Sequence, residues 1–258
     1  MNNSAIRVLD ILELFADSHE PLTVSDITKK LGYPKTSVFD IVTILADRGF
    51  IMRTSDRAKT YVIGPMAYFV GMSYLANTDL RKIAEPILSA VRDELGETCY
   101  LAVEDNGWVI YLDKLESSQP IRSICPIGAK RAMYITGLGK AILAAMPEER
   151  VKEIAARGLE PHTPTTITTV DALLDELARI REQGFAHDMG EDNQHVRCTA
   201  AVIRDASGKV AGAISVAMLD VNFTDETRER SEKLIPESAL KISRLLGFCG
   251  NKLYGNAD

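Results

Sequence analysis

The sequence predicts an α+β protein in two parts. The first is an N-terminal winged helix-turn-helix; after a linker helix comes a larger unit with an antiparallel sheet flanked by helices. Three observations point there. Residues 23–48 are punctuated as helix, turn, helix. Residues 49–63 hold two short strand patterns around a polar tip. From residue 98 onward, strand runs and hairpin signals alternate with amphipathic helices.

Residues 4–16 carry Ala5, Leu9, Leu12 and Phe15 at helical spacing, so a first helix is expected with that face inward. Asp17-Ser18-His19-Glu20-Pro21 ends it. Thr23 caps a helix over 24–31, Asp26 completes a capping box, and Gly32 stops the helix. Pro34 reads as the first residue of the next helix, where a fixed φ and a missing N–H cost little, and this helix runs to about Arg48. Val38, Ile41, Val42 and Leu45 form its inward stripe. Lys35, Thr36, Phe39, Asp40 and Thr43 face outward, with Ser37 beside them. A phosphate cation, hydroxyls and groups able to touch base edges suit a helix lying in the DNA major groove. Residues 49–53 and 59–63 then form a small ribbon. Its tip, Thr54-Ser55-Asp56-Arg57-Ala58, reads as a wing. Arg53, Arg57 and Lys59, together with Thr23 at the helix cap, are candidates for contacts to the sugar-phosphate backbone.

Gly64-Pro65 opens an apolar helix through Met66, Phe69, Val70 and Tyr74. Such a helix is not stable alone, so a dimer contact is expected of it. The expected division is a DNA-binding domain over 1–64, a linker helix over 65–77 and a second domain over 78–258, with the boundary near Ala76-Asn77-Thr78. The second domain opens with a helix over 79–95, ended by Gly96. Strands are expected at 98–103, 108–112 and 121–125, the first two joined by the hairpin signal Asp105-Asn106-Gly107. Helices over 138–146, 147–156 and 170–183 follow. Strands at 199–204 and 210–219 are joined by Asp205-Ala206-Ser207-Gly208, and a final helix over 224–246 is kinked at Pro236.

The chain of 258 residues carries a net charge of −6, which is unexpected for a partner of DNA. Its distribution resolves this. Residues 1–75 hold eight basic and eight acidic side chains, so the whole excess lies beyond them. Between Lys29 and Thr60, seven basic residues face three acidic ones. A locally basic reading end on an acidic body is compatible with phosphate binding. The four cysteines, Cys99, Cys125, Cys198 and Cys249, include no CxxC pair, which argues against a zinc ribbon or a disulfide framework. No apolar run reaches the roughly 18–20 residues of a membrane span and no secretion leader is legible, so a cytoplasmic location is expected without membrane contact.

Two clusters carry candidate chemistry. Thr136-Gly137-Leu138-Gly139-Lys140 opens a helix. Free N–H groups there attract anions, and glycine lets a ligand approach the backbone, so a carboxylate could dock on the amides of Gly137 and Leu138. A tight turn that only packs the helix is the alternative. A nucleotide loop is excluded, because Tyr134 stands where Walker A needs glycine and Ala141 where it needs Ser or Thr. The second cluster is His187, Asp188, His195 and Cys198. Asp188 would accept a hydrogen bond from a ligand and Cys198 would be a weak donor. Zinc is conceivable by residue type, but the spacing matches no signature. Cys198 as a nucleophile with His195 as base defines an enzyme alternative acting on a bound metabolite. Both histidines also read as solvated loop residues. Tyr100, Trp108, Ile124 and Met133 are candidates for the pocket lining or for ordinary core. Arg122, Lys130 and Arg131 would make its mouth basic. No cofactor, metal or catalytic residue is expected.

Three motifs give the chain a family resemblance. They are Ala46-Asp47-Arg48-Gly49-Phe50 at the end of the reading helix, the run Met133-Tyr134-Ile135-Thr136-Gly137-Leu138-Gly139-Lys140-Ala141-Ile142-Leu143-Ala144, and Val196-Arg197-Cys198-Thr199-Ala200-Ala201-Val202. In this order and spacing the chain resembles the IclR-type bacterial transcription regulators over nearly its whole length. The resemblance implies a GAF-like C-terminal effector domain. It also implies dimers that often pair into tetramers, and a palindromic double-stranded operator. The implied effector is a small anionic metabolite: an organic, aromatic or sugar acid. It is held by the amides at Gly137 and Leu138 and contacted at the positions of Asp188 and Cys198, with residues 191–195 as a mobile flap. One departure is Asp40, where family reading helices often carry Arg. A carboxylate there either accepts from cytosine N4 or turns to Arg48 or solvent.

Overall fold

The computed structural model describes residues 3–18, 20–55, 59–76 and 79–255. The chain separates into two compact units, Met1–Asn77 and Thr78–Asp258. His19, the wing-tip residues 56–58 with Arg57, and Asn77 and Thr78 at the expected boundary lie outside the described residues, as does the Tyr74 side chain.

In the first unit α1 (Asn3–Asp17) precedes a two-residue strand β1 (Leu22–Thr23). Then follow α2 (Val24–Leu31), α3 (Lys35–Asp47), β2 (Ile51–Ser55), β3 (Thr60–Ile63) and α4 (Pro65–Ala76). The strands pair antiparallel in the order β1-β3-β2, with Leu22 opposite Tyr61 and Ile51 opposite Ile63. β1 is too short to leave a periodic trace in the sequence.

The capping box forms as expected. Thr23 Oγ1 accepts from the Asp26 amide at 3.2 Å while Asp26 Oδ2 accepts from the Thr23 amide at 2.9 Å. Gly32 closes α2 at φ 71°, a left-handed backbone that costs glycine little. Pro34 differs from expectation: it is the N-cap of α3, extended at ψ 133°, and the helix begins at Lys35. The inward face of α1 also differs. Ile11 and Phe15 are buried, with Val8 and Leu12 packed against the same core, whereas Ala5 and Leu9 are exposed. The two stripes share Leu12 and Phe15 and both obey helical spacing, so only the partner surface decides between them. That surface is Leu22, Ile27, Val38, Ile41, Val42, Leu45 and Ile51, the core of a small three-helix unit.

In the second unit α5 (Asp79–Leu95) leads into β4 (Thr98–Asp105), β5 (Trp108–Leu115) and β6 (Lys130–Ala132). A 3-10 turn, Met133–Ile135, precedes α6 (Gly137–Ala144), α7 (Glu148–Ala155) and α8 (Val170–Gln183). β7 (Ala186–Asp188), β8 (Val196–Arg204) and β9 (Val210–Leu219) follow, and then α9 (Asp225–Leu245), which continues through Pro236. The six strands form one antiparallel sheet, β6-β5-β4-β9-β8-β7. The β4–β5 turn is Asn106-Gly107, with positive φ at both residues (51° and 84°), the geometry that matches strand twist in a two-residue hairpin. Successive residues of β8 point to opposite faces. Cys198 and Ala200 pack beside Gly137 of α6, while Thr199 Oγ1 bonds Ser231 Oγ of α9 at 2.7 Å. The sheet is therefore covered on both sides, by α6 and by α9.

The expected strand at 121–125 does not form. Lys130–Ala132 takes the edge of β5 instead, pairing with Trp108, Val109 and Ile110. Segment 121–125 is held by a side chain: Tyr100 Oη donates to the Ser123 carbonyl at 3.1 Å and accepts from the Cys125 amide at 3.0 Å.

Candidate functional site

In the first unit α3 turns Lys35, Thr36, Phe39, Asp40 and Thr43 outward. Phe39 is 57% exposed, unusual for an aromatic ring in a compact unit. Asp40 is exposed and forms no ion pair among the described residues, Arg48 included. Three expected contact residues have part of their hydrogen-bonding capacity committed internally. Thr23 Oγ1 donates to Asp26 Oδ2 at 2.6 Å. Thr43 Oγ1 donates to the Phe39 carbonyl at 2.8 Å. Ser37 Oγ accepts from Arg7 Nη1 of α1 at 3.0 Å, which ties the reading helix to α1. Arg53, in β2, is exposed; Lys59 stands at the end of the wing at φ 50°.

In the second unit α6 begins at the wall of a pocket of about 130 Å³. Tyr100, Ile124, Leu138, Asp188 and Cys198 line it, so five expected residues converge. Thr136 caps α6, its Oγ1 accepting from the Gly139 amide at 2.9 Å. The amides of Gly137 and Leu138 thus stand at the head of the helix, before the internal ladder begins, but Gly137 is not among the residues lining the pocket and its amide donates to Cys198 Sγ. A Cβ on Gly137 would lie 2.9 Å from Cys198 Sγ, so only glycine fits there without displacing the thiol. Met133 departs from expectation: it is buried and lines a different, larger cavity of about 520 Å³, as does Trp108. Of the expected basic mouth, Arg131 lines both cavities and Lys130 only the larger one. Arg122 is turned away to Glu116 at 2.8 Å.

Asp188 Oδ1 accepts from the amides of Gly190 and Glu191 at 2.9 and 2.7 Å. Burial and then the Glu191 carboxylate push its carboxyl up to about 7. Glu191 is not part of a mobile flap. It is buried, and Lys140 Nζ donates to both its carboxylate oxygens at 2.6 and 2.7 Å. Lys140 is 1% exposed and also reaches Glu176 at 3.2 Å. Thr163 and Thr166 fix the same segment by donating to the carbonyls of Gly190 (2.6 Å) and Glu191 (2.8 Å).

His187 is not a solvated loop residue. It lies in β7 between the rings of Phe185 and Phe223, and burial, then Lys140, hold it down at about 4. Its Nε2 is 3.3 Å from Glu232 Oε1, out of line for a hydrogen bond. His195 is exposed, beside Gln194. Burial and then Asp188 raise the Cys198 thiol far above its ordinary range, which makes it a poor nucleophile at neutral pH. Among the described residues, no group of three or more His, Cys, Asp and Glu is placed to hold a metal ion. No helix among them is long and apolar enough to cross a membrane.

Sequence reasoning missed several lining residues: Tyr111, Cys125, Thr136, Asn193 and Ser215. Thr136, an N-cap before Gly137, carried a usable signal. Ser215, a hydroxyl inside an otherwise apolar strand, carried another. Tyr111 and Asn193 carried none, since nothing local places them beside α6.

A winged-helix unit followed by a pocket-bearing α+β unit defines a class, the helix-turn-helix transcriptional regulators with a C-terminal effector domain. Comparison with known proteins narrows it. Residues 4–55 match the IclR helix-turn-helix domain, and residues 72–244 match the bacterial transcriptional regulator IclR C-terminal domain. The chain belongs to the IclR family of transcriptional regulators. It is 35% identical over 244 residues to RhmR, an uncharacterised HTH-type transcriptional regulator of Escherichia coli K12, covering 94% of this chain and 92% of that one. It is similar to the crystal structure of Thermotoga maritima IclR (31% identity, TM-score 0.73, 96% and 100% of the two chains). It also shares its fold with an IclR homologue from Microbacterium hydrocarbonoxydans solved in complex with 4-hydroxybenzoate (23% identity, TM-score 0.79, 95% and 99%).

Proposed function

We propose that this regulator reads a palindromic operator through α3 and senses a small organic, aromatic or sugar acid in the 130 Å³ pocket. One observation carries the effector reading. Thr136 and Leu138 at the start of α6 line a pocket that also receives Asp188 and Cys198, so a carboxylate finds the Leu138 amide at one end and its body finds side-chain partners at the other. The volume is below the range of about 300–1,000 Å³ usual for drug-sized ligands, which favours a small acid. The complex of the Microbacterium homologue with 4-hydroxybenzoate supports an aromatic acid as one member of that class. Lys35 supplies a phosphate contact; Thr36, Phe39 and Asp40 face the base edges; Arg53, Arg57 and Lys59 grip the backbone. The exposed apolar residues Met66, Tyr68 and Val70 of α4 form the contact of a homodimer, or of a dimer of dimers.

A thermal-shift screen of small carboxylates and sugar acids, followed by operator gel shifts with the stabilising compound, tests the reading. Gly137→Val, which puts a side chain against Cys198 Sγ, abolishes the shift and the ligand-dependent change in operator binding while leaving ligand-free operator binding intact. A full ligand response in Gly137→Val places the effector elsewhere.

A further inference from the structure

Another cavity of the second unit, about 520 Å³, is lined by all three residues of β6 and shares Arg131 and Asp192 with the proposed effector pocket. Its floor is apolar: Met133 and Ile135 from the 3-10 turn and Ile154 from α7, all buried. Trp108 of β5 forms a wall, and Lys130 Nζ stands 5.1 Å from the centre of its ring. Opposite, Arg157 is anchored by one hydrogen bond to the Asn106 carbonyl at the hairpin tip. Gly107 makes room for this: a Cβ there would meet Arg157 Nη1 at 2.7 Å. Neither Lys130 nor Arg157 has a carboxylate partner among the described residues, although Glu160 also lines the cavity. Arg131 does have one, Asp192 at 3.4 Å, and this pair borders both cavities. The space is therefore of ligand size, apolar at Met133, Ile135 and Ile154, and lined also by an indole and by two cations without a carboxylate partner among the described residues.

We propose that this cavity is a second small-molecule site, separate from the effector pocket, for a flat organic anion: a carboxylate carried on an aromatic or alicyclic body. The body lies on Met133, Ile135 and Ile154 against the edge of Trp108. The carboxylate seats between Lys130 and Arg157, where the guanidinium offers a two-pronged donor. The Arg131–Asp192 pair borders both sites.

Trp108 is the only tryptophan of the chain, so its indole N–H gives a single resonance that reports on this cavity alone. The test is a titration of the ¹⁵N-labelled full-length protein with sodium benzoate and, separately, with neutral benzamide. Benzoate is expected to shift the Trp108 indole resonance saturably. Benzamide binds about tenfold or more weakly, and Arg157→Gln and Lys130→Gln each weaken benzoate by about tenfold, the effect of losing one charge-assisted contact. Both residues are exposed, so these variants keep the fold, which the remaining resonances verify. The backbone amides of Gly137 and Leu138 report on the effector pocket in the same spectra and keep their own midpoint in both variants. An indole resonance that does not move, that responds equally to benzamide, or that ignores both substitutions overturns the second site. Unmoved Gly137 and Leu138 amides in the same titration count only against benzoate as the effector.

Discussion

Asp188 and His187 are neighbours in β7, and their environments push their titrations in opposite directions. Asp188 is raised from 3.8 to about 7, so between about pH 4 and 7 the folded chain holds a proton that the unfolded chain has released. Its contribution to stability falls as pH rises through that window. His187 is lowered from 6.5 to about 4, so the unfolded chain takes up a proton that the folded chain refuses, and stability falls as pH drops through about 6.5 to 4. The two slopes oppose each other. Asp188→Asn removes the first and leaves the second, so urea unfolding of the variant between about pH 7 and 5 shows a steeper loss of stability towards acid than the parent. Parallel profiles would mean that Asp188 carries no proton in the folded state. Lys140 presents a sharper case. Lys140→Met strands the Glu191 carboxylate in a buried site, an effect of about 3–5 kcal/mol by urea titration, whereas Lys140→Met/Glu191→Leu recovers most of it because the isolated charge goes too. A single variant no less stable than the double would contradict the pairing.

At the scale of elements, the junction between the 3-10 turn Met133–Ile135 and α6 is set by backbone approach. A Cβ on Gly139 would stand 2.2 Å from the Met133 carbonyl oxygen and 2.4 Å from its Cα. No side-chain adjustment relieves a clash with main chain. Gly139→Ala is therefore expected to cost at least about 1–3 kcal/mol, as overpacking does, and to weaken ligand binding in parallel, read by thermal shift and calorimetry. An unchanged melting temperature would show that the turn can move. This junction illustrates what the sequence makes legible. Helices with caps and stops, such as α2 between Thr23 and Gly32 or α8 between Thr169 and Gly184, are written locally and read correctly. The Asn106-Gly107 hairpin is equally local. The strand expected at 121–125 has the right residue types, but whether it pairs depends on which segment reaches the β5 edge first in space, and Lys130–Ala132 occupies it. β1 and β7, of two and three residues, are recruited by neighbouring strands and have no signature of their own. The candidate site follows the same division. Leu138 and Cys198 stand in motif positions, while Tyr111 and Ser215 arrive through sheet pairing and Asn193 through the loop between β7 and β8. The Lys140–Glu191 pair, 51 residues apart in sequence, is invisible until the fold is known.

Across the whole molecule, charge and apolar surface are unevenly shared. Residues 1–75 are neutral in sum and basic around α3, and the remaining residues carry the entire −6. Such an acidic body disfavours indiscriminate adhesion to DNA, which leaves recognition to the reading end. Lys35→Ala should accordingly reduce the steepness of log affinity against log salt by about 0.9, the share of one phosphate, with little change in sequence preference. An identical slope would remove Lys35 from the interface. The first unit also exposes apolar side chains along α4, with Tyr68 71% exposed. Tyr68→Asp is expected to shift sedimentation towards the monomer and to weaken operator binding at low protein concentration. Unchanged assembly would move the contact away from α4.

The proposed effector pocket is made of two kinds of material. The head of α6 is main chain, clamped by Gly139 against Met133 and by the Thr136 cap, whereas Tyr100, Ile124 and Ser215 are side chains on separate strands and loops. Descendants of such a gene, or libraries made from it, can exchange the second set and keep the main-chain head of α6 unchanged. New chemical tastes would then arise by recarving walls around a fixed anchor, and a biosensor designer would mutate there first.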